Sequence, residues 1–109
     1  SAVKAAIDGW AEAWSSKDTA TYFATYAEDF RPEGGVSRAT WEAQRKDRIT
    51  RPSRIKVGVV KPQFVALGDG RVRVSFLQEY ESDSFSDQVN KVLELRDQGG
   101  WKIVREYTR

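Results

Sequence analysis

Residues 71–109 read RVRVSFLQEYESDSFSDQVNKVLELRDQGGWKIVREYTR, and the period of their apolar residues decides the fold. Val72, Val74, Phe76, Gln78 and Tyr80 recur at every second position, which puts them on one face of a long strand. Arg71, Arg73, Ser75, Glu79 and Glu81 take the other face, with Leu77 the exception. After a connection over residues 82–86, Val89, Lys91, Leu93 and Leu95 alternate with Asn90, Val92, Glu94 and Arg96. Gly99-Gly100 then turns the chain into a last strand with Trp101, Ile103, Arg105 and Tyr107 on one side. Upstream, Gly68-Asp69-Gly70 supplies a tight turn into Arg71. Before that turn Ile55, Val57 and Val59 alternate with polar or small residues, Pro62 interrupts, and Phe64 to Leu67 is a short apolar run. The pattern predicts a meander of four or five strands.

Up to about Pro52 the spacing is helical instead. Val3, Ile7, Trp10 and Trp14 form one apolar stripe, with Lys4, Asp8 and Glu12 on the other side. Asp18 can cap a second helix whose inner face carries Tyr22, Phe23, Tyr26 and Phe30, and Arg31-Pro32-Glu33-Gly34-Gly35 breaks it. Ser37 is the N-cap of a third, with Trp41, Arg45 and Ile49 or Arg48 on one side, ended by Pro52. Helices followed by antiparallel sheet, with no linker between them, make one α+β domain over residues 1–109.

Composition narrows the chemistry. The 109 residues include thirteen aromatics but no His, Cys or Met. Without Cys there is no disulfide, Fe–S site, structural zinc or thiol nucleophile. Without His there is no serine–histidine pair, so an acid or base must be a shifted carboxylate, Tyr or Lys. The start at Ser1 suggests a fragment or processed product, and no apolar run of membrane-spanning length occurs. Net charge is +2 but uneven: Arg45, Lys46, Arg48, Arg51, Arg54 and Lys56 crowd one stretch whose only acid is Asp47. No aromatic-interleaved motif accompanies these cations, so they read as a solvated helix end rather than a nucleic-acid site.

A longer string then becomes informative: Gln78-Glu79-Tyr80-Glu81-Ser82-Asp83, Phe85-Ser86-Asp87, Lys91-Val92-Leu93-Glu94-Leu95 and Gly100-Trp101-Lys102-Ile103 with Glu106. Ala13-Trp14, Lys17-Asp18, Tyr22, Tyr26, Phe30, Ser37-Arg38, Trp41, Arg45 and Arg48-Ile49 agree in the first half. The chain resembles the nuclear transport factor 2-like superfamily, which includes SnoaL-like and ketosteroid isomerase-like proteins. Within it, the chain is most similar to the domain that follows the catalytic domain of some bacterial L,D-transpeptidases. That resemblance implies three helices packed in the concave face of a strongly curved antiparallel sheet, a cone-shaped α+β barrel. It also implies an accessory role in a larger peptidoglycan-modifying protein of the periplasm or cell envelope; without such a parent the compartment would be the cytoplasm.

The concave face is where a ligand would sit. Strand parity places Gln78, Tyr80, Lys91, Arg105 and Tyr107 there, and helical spacing can aim Tyr26, Trp41 and Arg45 at the same cavity. These eight are the candidate ligand-binding residues. Lys91, Arg105 and Arg45 would hold anionic or carboxylate groups, Tyr80, Gln78 and Tyr26 would supply neutral hydrogen bonds, and Trp41 an aromatic wall. A buried ammonium needs a partner or a wet pocket, and Asp87, Gln78 or Tyr80 could serve Lys91. The alternative is an internal network that fixes strand register. Trp10 and Trp14, on an apolar stripe, read as core. Catalysis of the isomerase or dehydratase kind would need an inward carboxylate. Parity instead puts Glu79, Glu81, Glu94 and Glu106 on the convex side, leaving Asp29 and Asp87 as possible bases.

The expectation is therefore a non-catalytic domain with no cofactor or metal, binding a small molecule or peptidoglycan fragment. An isomerase or dehydratase and a structural dimerisation domain remain as alternatives. Leu77, Val92 and Val104 offer a small apolar centre on the sheet for a homodimer.

Overall fold

A computed structural model describes all residues, Ser1–Arg109. Three α-helices come first: α1 (Ala2–Ser15), α2 (Thr19–Ala24) and α3 (Arg38–Thr50). Four strands follow: β1 (Ile55–Gly68), β2 (Arg71–Ser82), β3 (Ser86–Asp97) and β4 (Trp101–Thr108). Each helix begins at a side-chain cap: Ser1 accepts from the Lys4 amide, Asp18 from Thr21 and Ser37 from Thr40. The second helix is shorter than its aromatic spacing predicts. It stops at Ala24 because Tyr26 forms a parallel bridge to Ile103, tying residues 25–27 to the free edge of β4.

The strands form one antiparallel sheet in the order β1-β2-β3-β4. β1 and β4 do not pair, so the sheet curls into an open cone rather than a closed barrel. Asp69 and Gly70 close the first hairpin with φ of 54° and 70°, the left-handed pair that a two-residue turn of matching twist requires. Pro62 does not split the first strand as the sequence suggests. β1 instead accommodates it in an irregularity between Val60 and Gln63, with Lys61 at φ 51°.

The core lies between α1 and the concave face of the sheet. Ile7 and Trp10 on α1 are at most 1% exposed, as are Val74, Leu93, Leu95 and Ile103 on the sheet. Each such side chain contributes about 1.5–3 kcal/mol of burial free energy. Trp10 and Trp14 are core, as their stripe predicts: Trp10 meets Phe76 edge-on at 5.9 Å between ring centroids, and Trp14 packs against Tyr22 and Tyr80. No helix is long and apolar enough to cross a membrane.

One irregularity decides which polar residues enter the cone. Leu95 is opposite Ile103, but the preceding residue of β3, Glu94, is opposite Arg105, so Val104 is an extra residue in β4. Such a bulge reverses the facing of everything beyond it. Ile103 points inward, and the next inward residue is Glu106, opposite Leu93. This corrects the parity reading, which assigned Glu106 to the convex side and Arg105 and Tyr107 to the cavity.

Candidate functional site

Glu106 is the centre of a buried polar cluster at the mouth of the cone. Its carboxylate accepts from Lys91 Nζ at 2.7 Å and from the Tyr26 hydroxyl at 2.8 Å, while Arg45 Nη1 donates to both oxygens at 3.3 Å. Arg45 Nη1 also donates to the Tyr22 hydroxyl at 2.7 Å, and Trp10 Nε1 donates to the Tyr26 hydroxyl at 3.0 Å. The two tyrosine hydroxyls are 3.1 Å apart. Six elements or segments thus supply the cluster: α1, α2, the Tyr26 bridge, α3 and the paired strands β3 and β4.

Local structure explains each placement. Lys91 is inward because it is opposite Phe76 in the β2–β3 register. Arg45 lies one helical turn beyond Trp41 on α3, and its guanidinium is 5.3 Å from the centre of that indole. Trp41 is itself held edge-on by Tyr26 at 4.7 Å and packs against Phe30 at 4.8 Å. Arg38, from the first turn of α3, donates to the Ala27 carbonyl at 2.6 Å and so fixes that helix against the bridge segment.

The electrostatics follow from two cations meeting one anion out of water. Burial on its own would raise the Glu106 carboxyl, but the charges of Arg45 and Lys91, with hydrogen bonds from Lys91 and Tyr26, outweigh it and hold the pKa at about 2. Arg45 is held above its usual value because the nearby Glu106 charge overcomes the penalty of burial. Burial, reinforced in Tyr26 by Glu106, raises both tyrosine hydroxyls, Tyr26 most strongly. The cluster thus sets two cationic side chains, Arg45 and Lys91, against the single carboxylate of Glu106, a formal excess of one positive charge.

An open cleft of about 420 Å³ lies over this cluster. Arg45, Lys91 and Glu106 reach its floor, Trp41 and Phe30 form an apolar wall, and Arg48 and Gln44 stand at the α3 rim. Of the eight residues expected from the sequence, Tyr26, Trp41, Arg45 and Lys91 converge here. Gln78 is buried farther along β2 with its Oε1 unpartnered, and Tyr80 packs between Trp14 and Phe85; neither is bonded to the Glu106 cluster. The bulge turns Arg105 outward, where it is 50% exposed at the side chain and pairs with Glu33 at 3.0 Å. Tyr107, opposite Val92, is turned outward with it and only borders the cleft, its ring under the Arg105 guanidinium at 4.4 Å.

Lys91 has a different partner from the one expected, since Glu106, not Asp87, neutralises it. Glu106, Tyr22 and Trp10 were missed as site residues. The available signal was Lys91 itself, an inward ammonium that had to find a carboxylate. The other point of difference is Val92, fully buried within one copy of the chain, which leaves half-buried Leu77 and Val104 of the apolar centre expected on the convex face.

Comparison with known proteins agrees with this architecture. A Bdellovibrio bacteriovorus protein, Bd1075, is 28% identical with a TM-score of 0.86, over 97% of this chain and 38% of that one. The helical cell shape determining protein Pgp2 of Campylobacter jejuni, as its K307A mutant, is 22% identical with a TM-score of 0.82, over 94% of this chain and 38% of Pgp2. The chain thus spans well under half the length of either protein. A candidate dehydratase of the NTF2-like family from Streptomyces avermitilis is 16% identical with a TM-score of 0.79, over 97% of this chain and 92% of that one. No curated relative matches by sequence at a significant level. The family model of the Cds6 C-terminal NTF2-like domain matches residues 2–107. From the helices, the curled meander and this match over almost the whole length, the chain belongs to the Cds6 C-terminal NTF2-like domain family.

Proposed function

We propose that this chain is a non-catalytic binding domain within a larger bacterial envelope protein, and that its cleft takes a ligand bearing a carboxylate, such as a peptidoglycan fragment. The observation that carries the reading is the floor of the cleft, where two cations share one carboxylate and leave a net positive charge beneath an aromatic wall. A ligand carboxylate placed there gains charge-assisted hydrogen bonds from a guanidinium already oriented by Tyr22 and Trp41. The Trp41 and Phe30 wall suits a sugar ring or an aliphatic peptide stem. The likeness to Pgp2, a helical cell shape determining protein, supports the envelope setting.

The same electrostatics disfavour the isomerase reading. A carboxylate held at about 2 is a weak base at neutral pH, and tyrosines raised by burial are weak acids. Dimerisation through the sheet would rest on half-buried Leu77 and Val104, a small apolar area for a stable interface.

The test is titration with soluble muropeptides whose terminal carboxylate is free or amidated, followed by amide shifts in NMR spectra. Binding of the free acid that weakens about ten-fold or more on amidation, and again in Arg45→Lys, is expected from the loss of a charged hydrogen bond. Equal binding of acid and amide, or shifts remote from Trp41 and Arg45, would refute the carboxylate site.

A further inference from the structure

The outer face of the sheet carries its charges in rows set by strand register. Arg73, Glu94 and Arg105 align across β2, β3 and β4, and in the next row Arg71 is opposite Arg96, which is opposite Lys102. Like charges directly opposite one another destabilise a sheet, yet this row places three cations side by side. Within the sheet one carboxylate answers them. Glu94, with its side chain 4% exposed, meets Arg73 Nε at 3.4 Å, Arg71 Nη1 at 3.5 Å and Arg105 Nη1 at 3.7 Å. Two acids reach in from the segment before α3: Asp29 meets Arg96 at 3.9 Å and Glu33 meets Arg105. Lys102 bends away to the Ala24 carbonyl at 2.8 Å.

A groove of about 510 Å³ runs between this face and the Gly34-Gly35 turn, and Arg31 completes its rim. Four guanidiniums, from Arg31, Arg71, Arg96 and Arg105, line the groove with the carboxylates of Asp29, Glu33 and Glu94, and a fifth, Arg73, pairs with Glu94 beside it. The surplus is two positive charges in a chain whose whole net charge is +2. At the other end of the same strands the outer face is acidic, with Glu79 and Glu81 on β2. The positive surplus is thus local to the groove rather than spread over the sheet.

We propose that this groove is a second binding site, for a linear polyanion whose phosphate or carboxylate groups seat between Arg71, Arg96 and Arg31. Guanidinium forks match either oxyanion, and a bound anion relieves the repulsion built into the Arg71–Arg96–Lys102 row. The site lies on the opposite side of the sheet from the Glu106 cluster and does not depend on the ligand reading of that cleft.

Fluorescence anisotropy of labelled inorganic polyphosphate and labelled poly-L-glutamate, titrated with the full chain at low and moderate salt, tests it. Binding is expected to weaken about ten-fold or more in Arg71→Gln/Arg96→Gln, with a shallower salt dependence. Lys46→Gln/Lys61→Gln, which removes two cations away from the groove, should bind as the parent does. Polyphosphate binding alone assigns a phosphate ligand, polyglutamate binding alone a carboxylate, and both a shared oxyanion site. In the absence of probe, the melting temperature of Arg96→Gln is expected to be unchanged or raised, because a like-charge pair is gone; a purely structural arginine would lower it. Failure to bind either probe at low salt, or equal weakening by the two double variants, overturns the proposal.

Discussion

Replacing Glu106 with Gln removes the carboxylate that both Arg45 and Lys91 touch, while their side chains stay 17% and 8% exposed. Breaking a buried ion pair from one side costs about 3–5 kcal/mol, because the remaining charge loses its partner without regaining water. Proton linkage arrives at the same scale by another route. Holding the carboxyl at about 2 rather than 4.5 corresponds to about 3 kcal/mol of stability at neutral pH. For a chain of this size that is a fall in melting temperature of about 12–20 °C. Because the folded pKa lies below the unfolded one, this contribution is full above about pH 5 and disappears as pH falls through about 2. Urea unfolding followed by tryptophan fluorescence, repeated across that window, reads both quantities. The parent should lose stability steeply on acidification, and Glu106→Gln should be weaker at neutral pH with a flatter acid limb. A double variant, Lys91→Met/Glu106→Gln, should regain part of the loss, since an ammonium is no longer stranded. If Glu106→Gln unfolds within about 1 kcal/mol of the parent and keeps the same acid limb, the cluster does not stabilise the fold as argued.

Tyr26→Phe removes the donor to Glu106 and the acceptor for Trp10, so a loss of about 1–3 kcal/mol is expected. The Glu106 carboxyl should also titrate at higher pH, visible in side-chain carbon NMR; an unshifted titration contradicts the Tyr26 contribution. Deleting Val104 removes the bulge but leaves the Leu95–Ile103, Glu94–Arg105 and Leu93–Glu106 pairs in regular register, so Arg105 should stay outward and Glu106 inward. A native near-ultraviolet circular dichroism spectrum is therefore expected, and its loss would mean that Val104 is not the extra residue that sets the facing of Glu106. Gly70→Ala places a Cβ on a residue at φ 70°, costing about 1–2 kcal/mol in thermal melts, and an unchanged midpoint would argue against the two-residue turn.

Period-two alternation along residues 71–109 and the helical stripe of Val3, Ile7, Trp10 and Trp14 were enough to read three helices followed by an antiparallel meander. These are local signals: each depends on a side chain's facing relative to near neighbours, and burial of one face enforces it. Tyr26, Trp41, Arg45 and Lys91 were legible as inward polar or aromatic residues for the same reason. The centre of the site was not. Glu106 enters the cone through one extra residue at Val104, in a strand whose outer edge is occupied by residues 25–27, close in space but remote in sequence. Alternation counted along β4 alone cannot register an inserted residue that only the pairing with β3 exposes. Sequence by itself therefore determined the elements, their order and the identity of the buried cations. Tertiary structure decided which carboxylate answers them, because the facing of a strand beyond a bulge is set by its neighbours and not by its own pattern.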